Sequence, residues 1–176
     1  MVLLCACNRV PSDKIVANAD TLTLANKEGK FYHEGQTFTG MVFELDASKK
    51  DTLSIAHYQN GLQHGVFKRF YANNNLFEKR VYHEGKKEGV HLGYWENGSL
   101  AFEYHLKNDI YHGTLKEWTK SGQLIKLFNY SNGHEKGSQQ LWYDNGEIRS
   151  NYVVKNNRRY GLLGTKNCVN VSDSIQ

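Results

Sequence analysis

The sequence predicts an all-β fold, an elongated antiparallel meander of stacked β-hairpins with a period of about 24 residues, and three observations carry that prediction. Glycines recur in register: Gly40, Gly65, Gly89, Gly113, Gly137 and Gly161 are separated by 25 residues and then by 24 four times in succession. Each follows tight-turn chemistry, written Tyr58-Gln-Asn-Gly-Leu-Gln-His-Gly65, Tyr82-His-Glu-Gly-Lys-Lys-Glu-Gly89 and Tyr130-Ser-Asn-Gly-His-Glu-Lys-Gly137. Asn-Gly pairs supply the positive φ that a two-residue hairpin demands. Between the turns lie runs such as Val66 to Tyr71 and Leu124 to Tyr130, rich in the aromatic and β-branched residues that suit strands.

Residues 1–7 read Met-Val-Leu-Leu-Cys-Ala-Cys and resemble the end of a bacterial lipoprotein signal, with small residues before the thiol that accepts lipid, here Cys7. Only six residues precede it, so the segment is a remnant of the usual apolar leader. Residues 8–20, polar and carrying the sole proline, Pro11, are expected to tether that anchor to the domain. Three acyl chains on such a cysteine would hold it firmly, since two already suffice.

Residues 21–161 form the expected repeat domain of about five hairpin units, and residues 162–176 a cap or tail containing Cys168. Four residues before the anchor glycines stand Gly61, Gly85 and Gly133, with Asp109 and Asn157 as substitutes, and nine after them Gly98, Gly122 and Gly146, with Asn74 in the divergent unit. The first unit has an extra residue and a charged stretch, Asp46 to Asp51, at its second turn. Five residues after each anchor come Leu45, Phe70, Tyr94, Trp118 and Trp142, and eleven after it Leu76, Leu100, Leu124 and Ile148, which are expected to pair across the hairpin. Further columns hold Tyr58, Tyr82, Leu106, Tyr130 and Val154, and Tyr104, Phe128 and Tyr152. All these offsets share one parity, which predicts a single packed face. Arg69, Trp95, Glu117 and Tyr143 have the other parity and are the candidate binding surface.

The repeated Tyr-x-Asn-Gly-x-x-x-Gly turn, an aromatic strand and then Asn-Gly-x-Leu resemble the MORN-repeat variant of bacterial proteins described as YwqK-type antitoxins or membrane-binding proteins, over about residues 31–161. The resemblance implies a repeat fold with a scaffolding or binding role and no catalytic site. Asn108-Asp109 departs from the pattern at the fourth turn.

Composition excludes other classes. No run of about 18 apolar residues is present, and three cysteines make no disulfide framework. The net charge is +4, of which residues 155–176 contribute +3, leaving a nearly neutral body unlike that of a nucleic-acid binder. No zinc-protease, nucleophile-elbow or phosphate-loop motif occurs. The eight histidines follow the repeat: His64 and His112 sit before anchor glycines two units apart, about 19 Å, too far to share a metal. Neither metal nor cofactor is expected, and a small-molecule ligand is not. The reading is therefore a non-enzymatic repeat scaffold of the bacterial cell envelope, lipid-anchored on its periplasmic or outer side, that binds a protein or membrane partner along an elongated sheet. The alternative is a cytoplasmic antitoxin-like protein that neutralises a toxin.

Overall fold

A computed structural model describes residues 15–164. Cys7 and Cys168 lie outside the described residues, as does most of the presumed tether. The chain opens with β1 (Ile15–Asn18), then β2 (Ala25–Lys27), β3 (Lys30–His33) and β4 (Gln36–Thr37). The repeats follow as β5 (Gly40–Leu45) and β6 (Thr52–Gln59); β7 (Leu62–Gln63), β8 (Gly65–Phe70) and β9 (Leu76–His83); and β10 (Lys86–Lys87), β11 (Gly89–Tyr94) and β12 (Leu100–Lys107). Next come β13 (Ile110–Trp118) and β14 (Leu124–Ser131), then β15 (His134–Glu135), β16 (Gly137–Trp142) and β17 (Ile148–Lys155), and finally β18 (Arg158–Leu162), the opening strand of a further unit.

One sheet runs in the order β1-β5-β6-β8-β9-β11-β12-β13-β14-β16-β17-β18. At about 4.8 Å per strand it is roughly 50 Å long. Every step is antiparallel except the first, where β1 lies parallel to β5 with Ile15 beside Gly40. The polar stretch read as a tether therefore enters the sheet from Ile15 and covers its leading edge. A Cβ on Gly40 would sit 2.2 Å from the Ile15 carbonyl oxygen, so that close approach requires glycine. Residues 25–37 form a separate three-stranded sheet, β2-β3-β4, rather than another unit of the meander. Its Phe31 N–H donates to the Gly61 carbonyl, while the Gly61 N–H donates to Phe38 (2.8 and 2.7 Å). Phe38, 1% exposed, packs edge-on to Tyr58 and closes that end of the core.

The turns are built as their chemistry dictates. Asn60-Gly61, Glu84-Gly85, Asn108-Asp109, Asn132-Gly133 and Asn156-Asn157 all have positive φ, between 49° and 81°, the two-residue turn whose twist matches the flanking strands. Successive turns stack: Gly85 N–H donates to the Gln63 carbonyl, Asp109 to Lys87 and Gly133 to Tyr111, at 2.8 to 3.0 Å. In the first unit the charged stretch folds around Asp46, whose carboxylate accepts from the Lys50 and Asp51 N–H groups and the Ser48 hydroxyl. Those bonds, Ser48 first, hold its pKa down at about 2.

The register corrects the single packed face. The pairs Phe70–Leu76, Tyr94–Leu100, Trp118–Leu124 and Trp142–Ile148 form as expected. Directly after each of them the ladder skips one residue (Phe77, Ala101, Ile125, Arg149), because Arg69 pairs with Glu78, Gly93 with Phe102, Glu117 with Lys126 and Leu141 with Ser150. A β-bulge of this kind shifts the alternation by one residue. Columns of equal parity on the two sides of the bulge therefore point to opposite faces. Phe70, Tyr94, Trp118 and Trp142 lie on one face; Tyr58, Tyr82, Tyr104, Phe128, Tyr130 and Tyr152 lie on the other.

The second of these is the packed face, and it supplies the core of a sheet that has no second layer among the described residues. Its central row holds Ala56, His91, Leu115, Gln139 and Tyr152, all buried. Aromatic rings run along it in contact: Phe102 stacks on Tyr104 at 4.5 Å, and the chain continues through Tyr111, Tyr130 and Phe128 to Tyr152 at centroid separations of 5.3 to 6.5 Å. Offset and edge-on contacts of this kind add to the burial of ring area.

Candidate functional site

The two faces differ in what their side chains are doing. On the packed face nearly every polar group has an internal partner. Glu78, 3% exposed, is gripped by Arg80 (2.6 Å) and Arg69 (3.3 Å). Glu117 accepts from Tyr104 Oη at 2.9 Å and from Lys126 Nζ at 3.1 Å. Glu135 accepts from Tyr152 Oη and Arg159, both at 3.1 Å. Burial, reinforced by Glu135, pushes the Tyr152 phenol up to about 12, and burial beside Glu117 pushes Tyr104 higher still. Gln139, fully buried, bonds the Asn129 backbone at both ends: its Oε1 accepts from N–H at 3.0 Å and its Nε2 donates to the carbonyl at 2.8 Å. His91 occupies the equivalent place one hairpin pair earlier, with Nε2 3.0 Å from the Val81 carbonyl. Burial pushes its pKa down, the Val81 contact opposes that, and the cations Arg80 and Lys87 add to the lowering, so the ring is neutral at pH 7.

Two of the four predicted surface residues fall on this same side. Arg69 and Glu117 share the packed face with the Tyr and Phe columns, a correction to their expected separation, because the bulge reverses the parity between them. Both are engaged in ion pairs, although the Arg69 side chain stays 51% exposed. Trp95 and Tyr143 sit at the second turns and are partly exposed, at 37% and 42%. Trp95 Nε1 donates to the Trp118 carbonyl of the next unit at 3.0 Å, a link that Tyr71 also makes to Tyr94 through its hydroxyl at 2.8 Å. Tyr143 borders an open hollow of about 730 Å³ with Glu117, Leu141 and Arg149, whose guanidinium lies 5.7 Å from the ring centre. Five of the six anchor glycines have positive φ, Gly65, Gly89, Gly113, Gly137 and Gly161, from 75° to 119°; Gly40 serves close packing instead.

The other face is open. Its middle row crosses the strands without a break: Ile55 pairs with Lys68, Lys68 with Lys79, Lys79 with Leu92, Leu92 with Glu103, Glu103 with Lys116 and Lys116 with Leu127. Beside it runs the apolar row of Phe70, Tyr94, Trp118 and Trp142 with their leucine and isoleucine partners, half-buried to exposed. Val90, Ile110, Val153, Tyr160 and Leu162 add exposed apolar surface on the same side. The charge here is predominantly positive. On the described strands of the large sheet Lys68, Lys79, Lys86, Lys107, Lys116, Lys155 and Arg158 oppose a single carboxylate, Glu103. Burial disfavours the Glu103 charge, but bonds from His105 and Lys116 outweigh it and lower its pKa.

Histidine proximity was not legible from the column spacing. His64 comes to 5.0 Å, ring centre to ring centre, of His83 on the neighbouring hairpin, a contact across the turn stack rather than along a column. Among the described residues no group of three or more His, Cys, Asp or Glu is placed to hold a metal ion. No helix among the described residues is long and apolar enough to cross a membrane.

Residues 63–84, 87–108 and 111–132 each match the MORN repeat variant. The matches begin 24 residues apart, in phase with the glycine register, and fall on the central hairpins. No curated protein matches the chain.

Proposed function

We propose that this chain, whose central hairpins are similar to the MORN repeat variant, is a non-enzymatic scaffold that holds a protein or membrane partner along the open face of its sheet. We place it at a bacterial envelope membrane, anchored through lipid on Cys7. The observation that carries the binding role is the asymmetry between faces: the packed face spends its polar groups on one another, whereas the open face keeps a continuous apolar row and a line of lysines of which Lys68 and Lys79 have no ion-pair partner among the described residues. Stacked repeats present such rows as extended surfaces, because each unit adds the same columns beside the last. Catalysis needs converging groups, and a repeat instead lays equivalent side chains out at about 10 Å intervals.

Affinity capture from native membranes tests the role directly. The partner is expected on the wild-type protein and absent with a Trp118→Ser, Lys116→Glu variant that retains its melting temperature. A partner retained equally by both proteins excludes the open face. Lipid labelling tests the location: incorporation is expected in the full chain and lost in Cys7→Ala, and no Cys7-dependent label refutes the anchor.

A further inference from the structure

Lys68 and Lys79 are direct cross-strand partners on the open face. Like charges placed opposite one another destabilise a sheet, and neither lysine has an ion-pair partner among the described residues. The packed face solves the same problem within one row: Arg69, directly across from Glu78, is neutralised by it. The open face thus maintains a repulsive pair that an external anion would relieve. The next cation on the row, Lys116, is three strands beyond Lys79, roughly 14 Å away, and is bridged to Glu103 at 3.1 Å.

We infer that the open face binds a flexible acidic polypeptide segment, its carboxylates on Lys68 and Lys79 and, in exchange for Glu103, on Lys116, and its apolar side chains against the Tyr94–Leu100 and Trp118–Leu124 row. The inference rests on the open face being the docking surface. Three features select this occupant. The lysine line and the apolar row lie side by side, which suits a chain of alternating acidic and apolar groups. Adjacent strands rotate by about 20–25°, so twelve of them turn the row through more than ~200°; a flat bilayer touches part of such a row, whereas a flexible chain follows it. The rings of this row lie in cross-strand pairs with leucine, while base-stacking platforms for single-stranded nucleic acid need free ring faces. A second copy of this face would bring lysine against lysine.

The test uses a labelled glutamate–tyrosine copolymer, with phosphatidylglycerol vesicles and polyuridylate as parallel probes. Two triple variants carry the same charge change: Lys68→Glu, Lys79→Glu, Lys116→Glu on the open face, and Lys49→Glu, Lys120→Glu, Lys136→Glu in the turns. The copolymer is expected to bind, to shift tryptophan emission to the blue in the wild type but less in Trp118→Phe, and to bind at least about tenfold more weakly to the open-face triple than to the turn triple. Lys→Gln versions of the open-face set, checked by thermal melting, are expected to reproduce the loss in smaller degree and separate it from misfolding. Equal weakening by both triples reduces the effect to bulk charge and overturns the inference. Vesicles or polyuridylate bound more tightly than the copolymer, and sensitive to the open-face triple, overturn the acidic polypeptide while leaving the docking face in place. Should no probe distinguish the two triples, the docking face falls with it.

Discussion

The same twelve strands produce two unlike surfaces from alternate residues. On the packed face Glu78 is held between two arginines, Gln139 closes on the Asn129 backbone and a run of rings links Phe102 to Tyr152. On the open face Lys68 confronts Lys79, and large apolar groups such as Val90 and Ile110 face outward. A sheet without a second layer has to find its stability on one side, since the hydrophobic term needs area removed from water. The packed face achieves that by laying long side chains flat against the next unit. The open face is then released from packing duty, which is where Lys68 and Lys79, unpaired among the described residues, can persist.

Leu115 measures that division most directly. It is 3% exposed on the packed face, whereas Leu127 on the open row is half-buried. Leu115→Ala is expected to cost ~2–4 kcal/mol through lost burial and a cavity that a thin sheet cannot refill. Leu127→Ala should cost less than half as much. Equilibrium urea unfolding of both variants decides the point, and equal losses would erase the distinction between the faces.

Gln139 comes next. Replacing it with Leu strands the Asn129 N–H and carbonyl without their buried partner, for an expected loss of about 1–3 kcal/mol. Gln140, its neighbour pointing to the open side, is expected to tolerate Leu within ~0.5 kcal/mol. Thermal melts in which Gln140→Leu loses as much as Gln139→Leu would show that the backbone bonds are not what hold the column.

The period, the turn chemistry and the pairs such as Phe70–Leu76 were legible in the sequence because they are local: fixed by φ at Asn-Gly and by counting within one hairpin. The faces were not. The bulge residues are Phe77, Ala101, Ile125 and Arg149, side chains that read as ordinary strand members, with no glycine to announce an irregularity. One skipped residue per hairpin sent half of the aromatic columns to the wrong side and put Arg69 and Glu117 on the presumed exterior. A usable signal existed in the charges: Arg69 with Glu78, and Glu117 with Lys126, repeat the same nine-residue separation with opposite signs. Such a spacing makes sense only if each pair shares a face. Strand β1 carried no signal, since a parallel partner 25 residues downstream imposes no turn and no periodicity. Gly29 and Gly35, outside the 24-residue register, were the visible trace of the separate small sheet.

His91 sharpens the comparison through pH. Its pKa is lowered from 6.5 in the folded protein, chiefly by burial. Below that value the unfolded chain takes up the proton more readily than the folded one, so this residue's contribution to stability is lost as the pH falls through 6.5 toward the depressed folded value. His91→Gln copies the arrangement of Gln139 in the same column and removes the titration. The wild-type protein is expected to lose more stability than His91→Gln between pH 7 and pH 5, as read from urea midpoints across that range. Parallel pH profiles would mean that the ring protonates without leaving its bond to Val81.

The smallest expected effect bears most on the open face. Lys79→Gln removes one member of the Lys68–Lys79 pair and keeps most of the side-chain stem over the sheet. Every substitution on the packed face should destabilise; this one is expected to be neutral or to stabilise by up to ~0.5 kcal/mol, because the change relieves cross-strand repulsion. The gain should shrink between low salt and about 1 M salt, where the screening length falls to ~3 Å. A salt-independent loss above ~1 kcal/mol would instead assign Lys79 to internal packing. It would also remove the argument that the open face keeps an unfavourable pair for a partner to neutralise. Stability and binding should therefore diverge at this position, with the isolated protein no worse and its hold on an anionic chain weaker, which is how a residue retained for a partner differs from one retained for the fold.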